Sequence, residues 1–300
     1  MKTTRRRFLG LVAGSIAVPP CLPAASPSKR LPIAFSTLGC PRWDWTTILK
    51  RAAEYGYAAI ELRGIQGTMD LTKRPEFSGA CLESRLRELE SAGLRLAGLG
   101  ASARLHDAEP AVRTTQLDEA RRFIDLAHRL QAPFVRVFGD RIVAGQPRQA
   151  TVDRVAAGLR ALGEHAKGSG VTVLIESHGD FCDSATLLEI LTASPMETVG
   201  LLWDSHHTVV AAKEPPERTL EHLGRYVRHV HLKDSKPEGN GVRYVLTGSG
   251  TVPVRDIVRL LVERKYPGYF SFEWEKAWHP EIEEPEEAFP HFARVLGQYL

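Results

Sequence analysis

The sequence has 300 residues, 43% of them hydrophobic and 25% charged, with a formal net charge of +3, and usage of this kind excludes a disordered chain, a collagen-like chain and a coiled coil. Four cysteines with no C-x-x-C pair exclude a disulfide-dense scaffold and a cysteine zinc knot. Setting residues 1–25 aside removes Lys2, Arg5, Arg6 and Arg7 and no acid, which leaves 35 of the 39 basic residues against 36 acidic ones; a chain without a basic surplus is a poor match for nucleic acid.

Residues 1–28 read as a targeting segment. Thr4-Arg5-Arg6-Arg7-Phe8-Leu9 resembles the twin-arginine export motif, an apolar stretch follows over 9–18, and Pro23-Ala24-Ala25-Ser26 supplies small residues where cleavage is expected. This predicts the twin-arginine export machinery as a partner and a periplasmic or secreted location. Pro19-Pro20 ahead of Cys21 speaks against a lipoprotein. No apolar run reaches the ~18 residues of a spanning helix, so no membrane anchor is expected in the mature form.

From residue 29 to 300 one domain is expected, in which short apolar runs alternate with amphipathic stretches. The runs are 31–36, 58–62, 94–99, 134–138, 171–175, 199–203, 227–232 and 269–272, mostly rich in Val, Ile, Leu and Phe, as strands buried on both faces require. Between and after them, 46–55, 81–92, 112–130, 151–167, 185–192, 217–223, 254–264 and 286–299 carry apolar residues at helical spacing. Eight β–α units predict an α/β chain folded as a (β/α)8 TIM barrel. The rival, a doubly wound nucleotide-binding sheet, wants a Gly-rich turn after its first strand. Here that strand runs into Ser36-Thr37-Leu38-Gly39-Cys40-Pro41, with no G-x-G-x-x-G.

Function in a barrel collects at the carboxyl ends of the strands, and the last four runs end in Glu176-Ser177-His178, Asp204-Ser205-His206-His207, His229-Val230-His231-Leu232-Lys233-Asp234 and Glu273-Trp274-Glu275. With period-2 alternation, Glu176 and His178 share a face, as do His229, His231 and Lys233, and Glu273 and Glu275. Charges directly after buried strands are costly unless paired or metal-bound. Two glutamates, an aspartate and a histidine aimed at one axis make a hard N/O site for one divalent ion, Mn²⁺, Co²⁺, Mg²⁺ or Zn²⁺.

Over about residues 31–300 the chain resembles the sugar phosphate isomerase/epimerase family with a xylose isomerase-like TIM barrel, the group of ketose 3-epimerases and inosose dehydratases. The motifs that carry this are Ile175-Glu176-Ser177-His178, Asp204-Ser205-His206-His207, His229-Val230-His231-Leu232-Lys233-Asp234, and Gly248-Ser249-Gly250-Thr251-Val252-Pro253 leading to Phe272-Glu273. Each is weak alone; the four in order are specific. The resemblance implies Glu176, Asp204, His231 and Glu273 as metal ligands, with Glu176 and Glu273 also catalytic. It implies His178, His207, Lys233 and Glu61 as substrate-binding. Ser177 stands where Asn is common, and the doubled histidine leaves open whether His206 or His207 faces the pocket. The implied chemistry is proton removal beside the carbonyl of a sugar or keto-sugar, through a metal-bound enediolate. Reprotonation then gives an epimer or an aldose–ketose isomer, and loss of a β-hydroxyl gives a dehydratase instead.

Two other functions fit less well. An endonuclease IV-like phosphodiesterase needs extra histidines at strands two and three, where this chain has Glu61-Leu62-Arg63 and Leu99-Gly100-Ala101-Ser102. A non-catalytic sugar-binding barrel has no need of the full ligand set. His229 reads as a hydrogen-bonded barrel histidine and Arg136 and Arg63 as partners of barrel acids, with a substrate oxygen as the alternative for both arginines. Trp43, Trp45 and Trp278 read as core or rim packing, Cys40, Cys81 and Cys182 as buried thiols, and Glu281-Ile282-Glu283-Glu284 as a solvated loop. Glu275 divides evenly between orienting a ligand and a surface charge. The sequence does not decide between a monomer and a homo-oligomer.

Overall fold

A computed structural model describes residues 30–300; residues 1–28, expected to be a twin-arginine signal, and with them Cys21, lie outside the described residues. Each apolar run becomes a strand of one parallel sheet. In chain order these are β1 Ile33–Ser36, β2 Ala59–Leu62, β3 Arg95–Arg104, β4 Phe134–Asp140, β5 Thr172–Gly179, β6 Val199–Asp204, β7 Val227–Leu232 and, after a hairpin, β10 Phe270–Phe272. The sheet closes on itself through β1 and β10, in the order β1-β10-β7-β6-β5-β4-β3-β2. The expected (β/α)8 barrel is therefore the fold.

The helices α1 Trp45–Glu54, α2 Gly79–Ser91, α3 Pro110–Arg129, α4 Arg148–Ala166, α5 Ser184–Thr192, α6 Pro216–Leu223, α7 Val254–Glu263 and α8 Pro285–Tyr299 fall in the amphipathic stretches. Asp44 and Asp183 start α1 and α5 by accepting the amides of Thr47 and Thr186, each at 2.8 Å, an N-cap that satisfies a donor the helix cannot. Strand alternation sends Phe35 and Phe272 outward against Phe289 and Phe292 of α8, with ring centroids 4.4 Å apart in both the Phe35–Phe289 and Phe272–Phe292 pairs. Burying each such ring contributes roughly 1.5–3 kcal/mol. The residues between them along the strands are left to face the barrel axis.

Two elements depart from the sequence expectation. Strands β8 Asp234–Glu238 and β9 Gly241–Val245 form an antiparallel hairpin after β7. Its root is held by Asp234, whose carboxylate accepts the amides of Ser235, Gly248, Gly250 and Val252 at 2.8–3.1 Å. The Gly248-Ser249-Gly250 loop thus wraps a carboxylate. A side chain at Gly250 would place its Cβ 2.1 Å from Asp234 Oδ1, so only glycine allows this approach. The long connection 64–79 carries two short turns, Leu71–Lys73 and Pro75–Phe77.

Candidate metal centre

Register sets the centre. Asp204 at the end of β6 pairs with His231 on β7, and Ser271 on β10 pairs with the same histidine, which brings Glu273 two residues on to the same axis. Glu176 enters from β5. One donor atom from each of Glu176, Asp204, His231 and Glu273 lies within 4.8 Å of the others, and all four residues are buried. His231 Nδ1 stands 3.3 Å from Glu273 Oε2, 3.7 Å from Glu176 Oε1 and 3.9 Å from Asp204 Oδ2. It has no hydrogen-bond partner although it is buried. A ring nitrogen facing three carboxylates is, once its proton is displaced, the donor set a hard divalent ion takes.

The other edge of His231 explains its aim. Its Nε2 donates to Glu61 Oε2 at 2.8 Å; the same oxygen accepts from His229 Nε2 at 2.8 Å and from Ser271 Oγ at 3.0 Å. Glu61 therefore lies behind the histidine, deep in the barrel, and fixes its tautomer and plane. The expectation that Glu61 meets substrate is corrected: on the four-residue strand β2 it points inward below the ligand layer. His229 is the hydrogen-bonded barrel histidine expected. Burial alone would raise the Glu61 carboxyl, but the two imidazoles outweigh it and hold it well below its ordinary range.

Lys233, expected near substrate oxygens, is 1% exposed and sits among acids. Its Nζ is 2.7 Å from Asp204 Oδ2 and 2.6 Å from Glu275 Oε1, and it also pairs with Glu273. The alternation that turns His231 inward turns Lys233 inward too, one layer higher. Burial would lower the ammonium's pKa, but Asp204, Glu273 and Glu275 raise it well above the ordinary value, so it stays charged. Glu275 is thus an orienting partner of the centre rather than a surface charge.

Charge is divided unevenly among the ligands. Burial would raise Glu176, but Arg136, whose Nε lies 3.1 Å from Glu176 Oε2, outweighs it and holds the carboxyl low. Burial likewise opposes ionisation of Glu273, and His231 and Lys233 override it. Burial pushes Asp204 up to about 7 against the pull of Lys233, with Glu273 and Glu176 adding to the rise. His231 goes the opposite way to its burial: Glu273 and Glu61 raise it well above its usual value. The protons held at His231 and Asp204 mark where a positive charge is stabilised.

The flanking residues divide cleanly. His207 brings Nε2 to 3.5 Å from Asp204 Oδ2, and its ring lies 4.9 Å from that of His178, which is partly exposed at the mouth. His206 turns to the hairpin instead, with Nε2 2.8 Å from Ser235 Oγ. Ser177 lies between strands, its Oγ accepting the Asp204 amide at 2.8 Å; it braces the β6 end rather than facing a ligand. Trp43 and Trp45 are packed in the wall, whereas Trp278 is 56% exposed. Cys40 is buried as expected; Cys81 is exposed and Cys182 half-buried, because both fall at helix entrances. In the acidic loop, Ile282 is buried and its carbonyl accepts from Lys276, so the loop is anchored.

Barrel and buried cluster together define a (β/α)8 protein with a one-histidine, three-carboxylate centre at the carboxyl ends of its strands. The chain belongs to the xylose isomerase-like TIM barrel family, whose profile matches residues 49–296. Fructoselysine 3-epimerase of Shigella flexneri is 26% identical over 167 residues, 54% of this chain and 59% of that protein. An inosose dehydratase of Clostridium botulinum (strain Alaska E43 / Type E3) is 28% identical over 150 residues, 44% of this chain and 49% of the relative. The chain thus matches less than two thirds of the length of either relative. Among solved structures, the IOLI protein with a binding zinc atom superposes with a TM-score of 0.75 at 17% identity, covering 90% of this chain and 99% of that one. At that identity the likeness speaks to the fold.

Proposed function

We propose that the protein is a divalent-metal-dependent sugar isomerase or epimerase that removes a proton next to the carbonyl of a small sugar or keto-sugar. The observation that carries this reading is the convergence of Glu176 and Glu273, both held ionised, on His231 Nδ1 from separate strands. Glu176, Asp204, His231 and Glu273 would hold the ion, Mn²⁺, Co²⁺, Mg²⁺ or Zn²⁺, which when bound polarises the substrate carbonyl and acidifies the neighbouring C–H. One glutamate takes the α-proton and the other returns it from the opposite face. Arg136 steadies Glu176 and Lys233 steadies Glu273, so neither carboxylate swings away between the two transfers. His178 and His207 stand on the rim, where hydroxyls of a sugar would meet them. A second reading, dehydration, is favoured by the inosose dehydratases among the relatives; it shares the proton removal and then expels a β-hydroxyl.

Metal analysis of purified protein comes first, then exchange of D-fructose and D-tagatose protons in D₂O. Wild-type exchange should fall about 10²–10⁴-fold in Glu176→Gln and in Glu273→Gln. Full-rate exchange in both variants would remove the proposal, and an unsaturated product in place of an epimer would move it to the dehydratase. The proposal includes twin-arginine export of the chain. Fractionation should find wild type outside the cytoplasm and an Arg5→Lys, Arg6→Lys double variant within it.

A further inference from the structure

At the mouth of the barrel lies a buried cation that no carboxylate touches directly, with Glu273, Glu176 and Glu119 acting on it only from beyond contact distance. Arg63 follows β2 directly and is 7% exposed. Its guanidinium donates to Ser102 Oγ at 3.1 Å and contacts Met69 Sδ at 3.5 Å. Among the described residues no carboxylate pairs with it. Glu119, an acid in its neighbourhood, already accepts the Ser102 amide at 2.7 Å. A buried charge left in this state is costly, and a natural sequence retains such a group where a ligand completes it.

Arg63 lies beside the centre. Arg136, which pairs with Glu176, packs over Gly100 of β3 together with Arg63: a Cβ on that glycine would sit 2.7 Å from both Arg136 Nη2 and Arg63 Cδ. Glycine at this position is what lets two arginines lie side by side in the wall. Arg136 is neutralised by its carboxylate, and Arg63 is not. Burial, and then the nearby Arg136, hold the Arg63 guanidinium at about 10, below its ordinary value, against the weaker opposite pull of Glu273, Glu176 and Glu119.

We propose that Arg63 is a specificity residue that receives an oxyanion on the substrate, outside the reacting carbonyl–hydroxyl pair, so that the substrate is a sugar acid or an otherwise anionic sugar. This rests on the sugar reading of the same site. Guanidinium nitrogens are suited to a carboxylate or a phosphate by their planar fork.

The test compares D-fructuronate, D-fructose 6-phosphate and D-fructose, which share the carbonyl–hydroxyl pair and differ at the far end. Dissociation constants are measured by calorimetry on the full barrel, with Mn²⁺ and after chelation. At least one oxyanion should bind wild type about 10-fold or more tighter than D-fructose, the scale of one charge-assisted hydrogen bond. Preference for fructuronate alone identifies a carboxylate, and preference for both identifies a general oxyanion seat. Arg63→Met should bring the ratio to within about twofold of unity, while Arg141→Ala, an exposed arginine on the same rim, leaves it unchanged. The ratio should persist after chelation, whereas loss of all dependence on Mn²⁺ would count against the metal reading and not against this one. A wild-type ratio near one, or a ratio lost equally in Arg141→Ala, overturns the proposal. If the wild-type ratio is near one and Arg63→Met unfolds at a lower temperature, Arg63 is a strut of the wall.

Discussion

The two arcs of the barrel mouth are built from opposite chemistry. The arc formed by β5, β6, β7 and β10 presents Glu176, Asp204, His231, Glu273 and Glu275 around one lysine. The arc formed by β2, β3 and β4 presents Arg63 and Arg136, with Arg104 and Asp140 at its rim. On the first arc short acidic side chains sit at strand ends and reach the axis directly. On the second, long cationic chains lie flat against the wall over Gly100. The difference teaches that the anionic arc needs a cation to be complete, whereas the cationic arc is already half neutralised through Glu176. Removing charge should therefore hurt one arc and relieve the other.

The largest effect is expected at Lys233. Lys233→Met leaves Asp204, Glu273 and Glu275 facing one another without their buried cation, at a cost of about 3–5 kcal/mol in chemical unfolding of chelated protein. Saturating Mn²⁺ should recover part of it. Equal stability of Lys233→Met and wild type would dissolve the contrast between the arcs. A smaller change is expected at Glu61. Glu61→Gln keeps the shape but loosens the grip on His231, and competition titration should show Mn²⁺ affinity falling about 10–100-fold. An unchanged affinity would mean that the acid behind His231, reaching it from the opposite arc, does nothing for the ligand it backs.

The most graded effect is with pH. Folded Asp204 keeps its proton up to about 7, against an ordinary value of 3.8, and folded His231 also holds its proton above its ordinary value. For both groups the folded pKa is raised, so the stability they lend chelated protein is present at low pH and lost as pH rises through those values. An incoming ion must displace the same protons. Mn²⁺ affinity should therefore climb from pH 5.5 upward, by up to about 10-fold per pH unit for each proton released. The slope contributed by Asp204 should level off above pH 7. A flat profile from pH 5.5 to 8.5 would show that the anionic arc is prepared for the ion without proton release.

Much of this is legible in the sequence. The eight strands can be read because each is buried on both faces and so has few polar interruptions. The four ligand candidates stand out because a charge straight after such a run is too costly to keep unless it is paired or binds an ion. The hairpin does not stand out: Asp234–Glu238 is too polar to resemble the other strands. Its two-residue Gly239-Asn240 turn is the signal that could reveal it. The role of Glu61 is hidden for another reason. It meets His231 across the barrel, from a strand three places away in the sheet, and no local pattern reports which inward residues share a layer. Lys233 between three acids and Arg63 without one are likewise facts of three-dimensional neighbourhood.

The hairpin after β7 also says where the molecule will accept new sequence. Its root is tied by four amides to one carboxylate, immediately after Lys233, while its tip at Gly239-Asn240 touches none of that lacing. A foreign loop spliced in at the tip should leave the ion-binding layer undisturbed, and the same graft moved to Gly250 should not. Diversity over the mouth can thus be acquired by swapping hairpin tips, with the chemistry beneath kept as a fixed chassis.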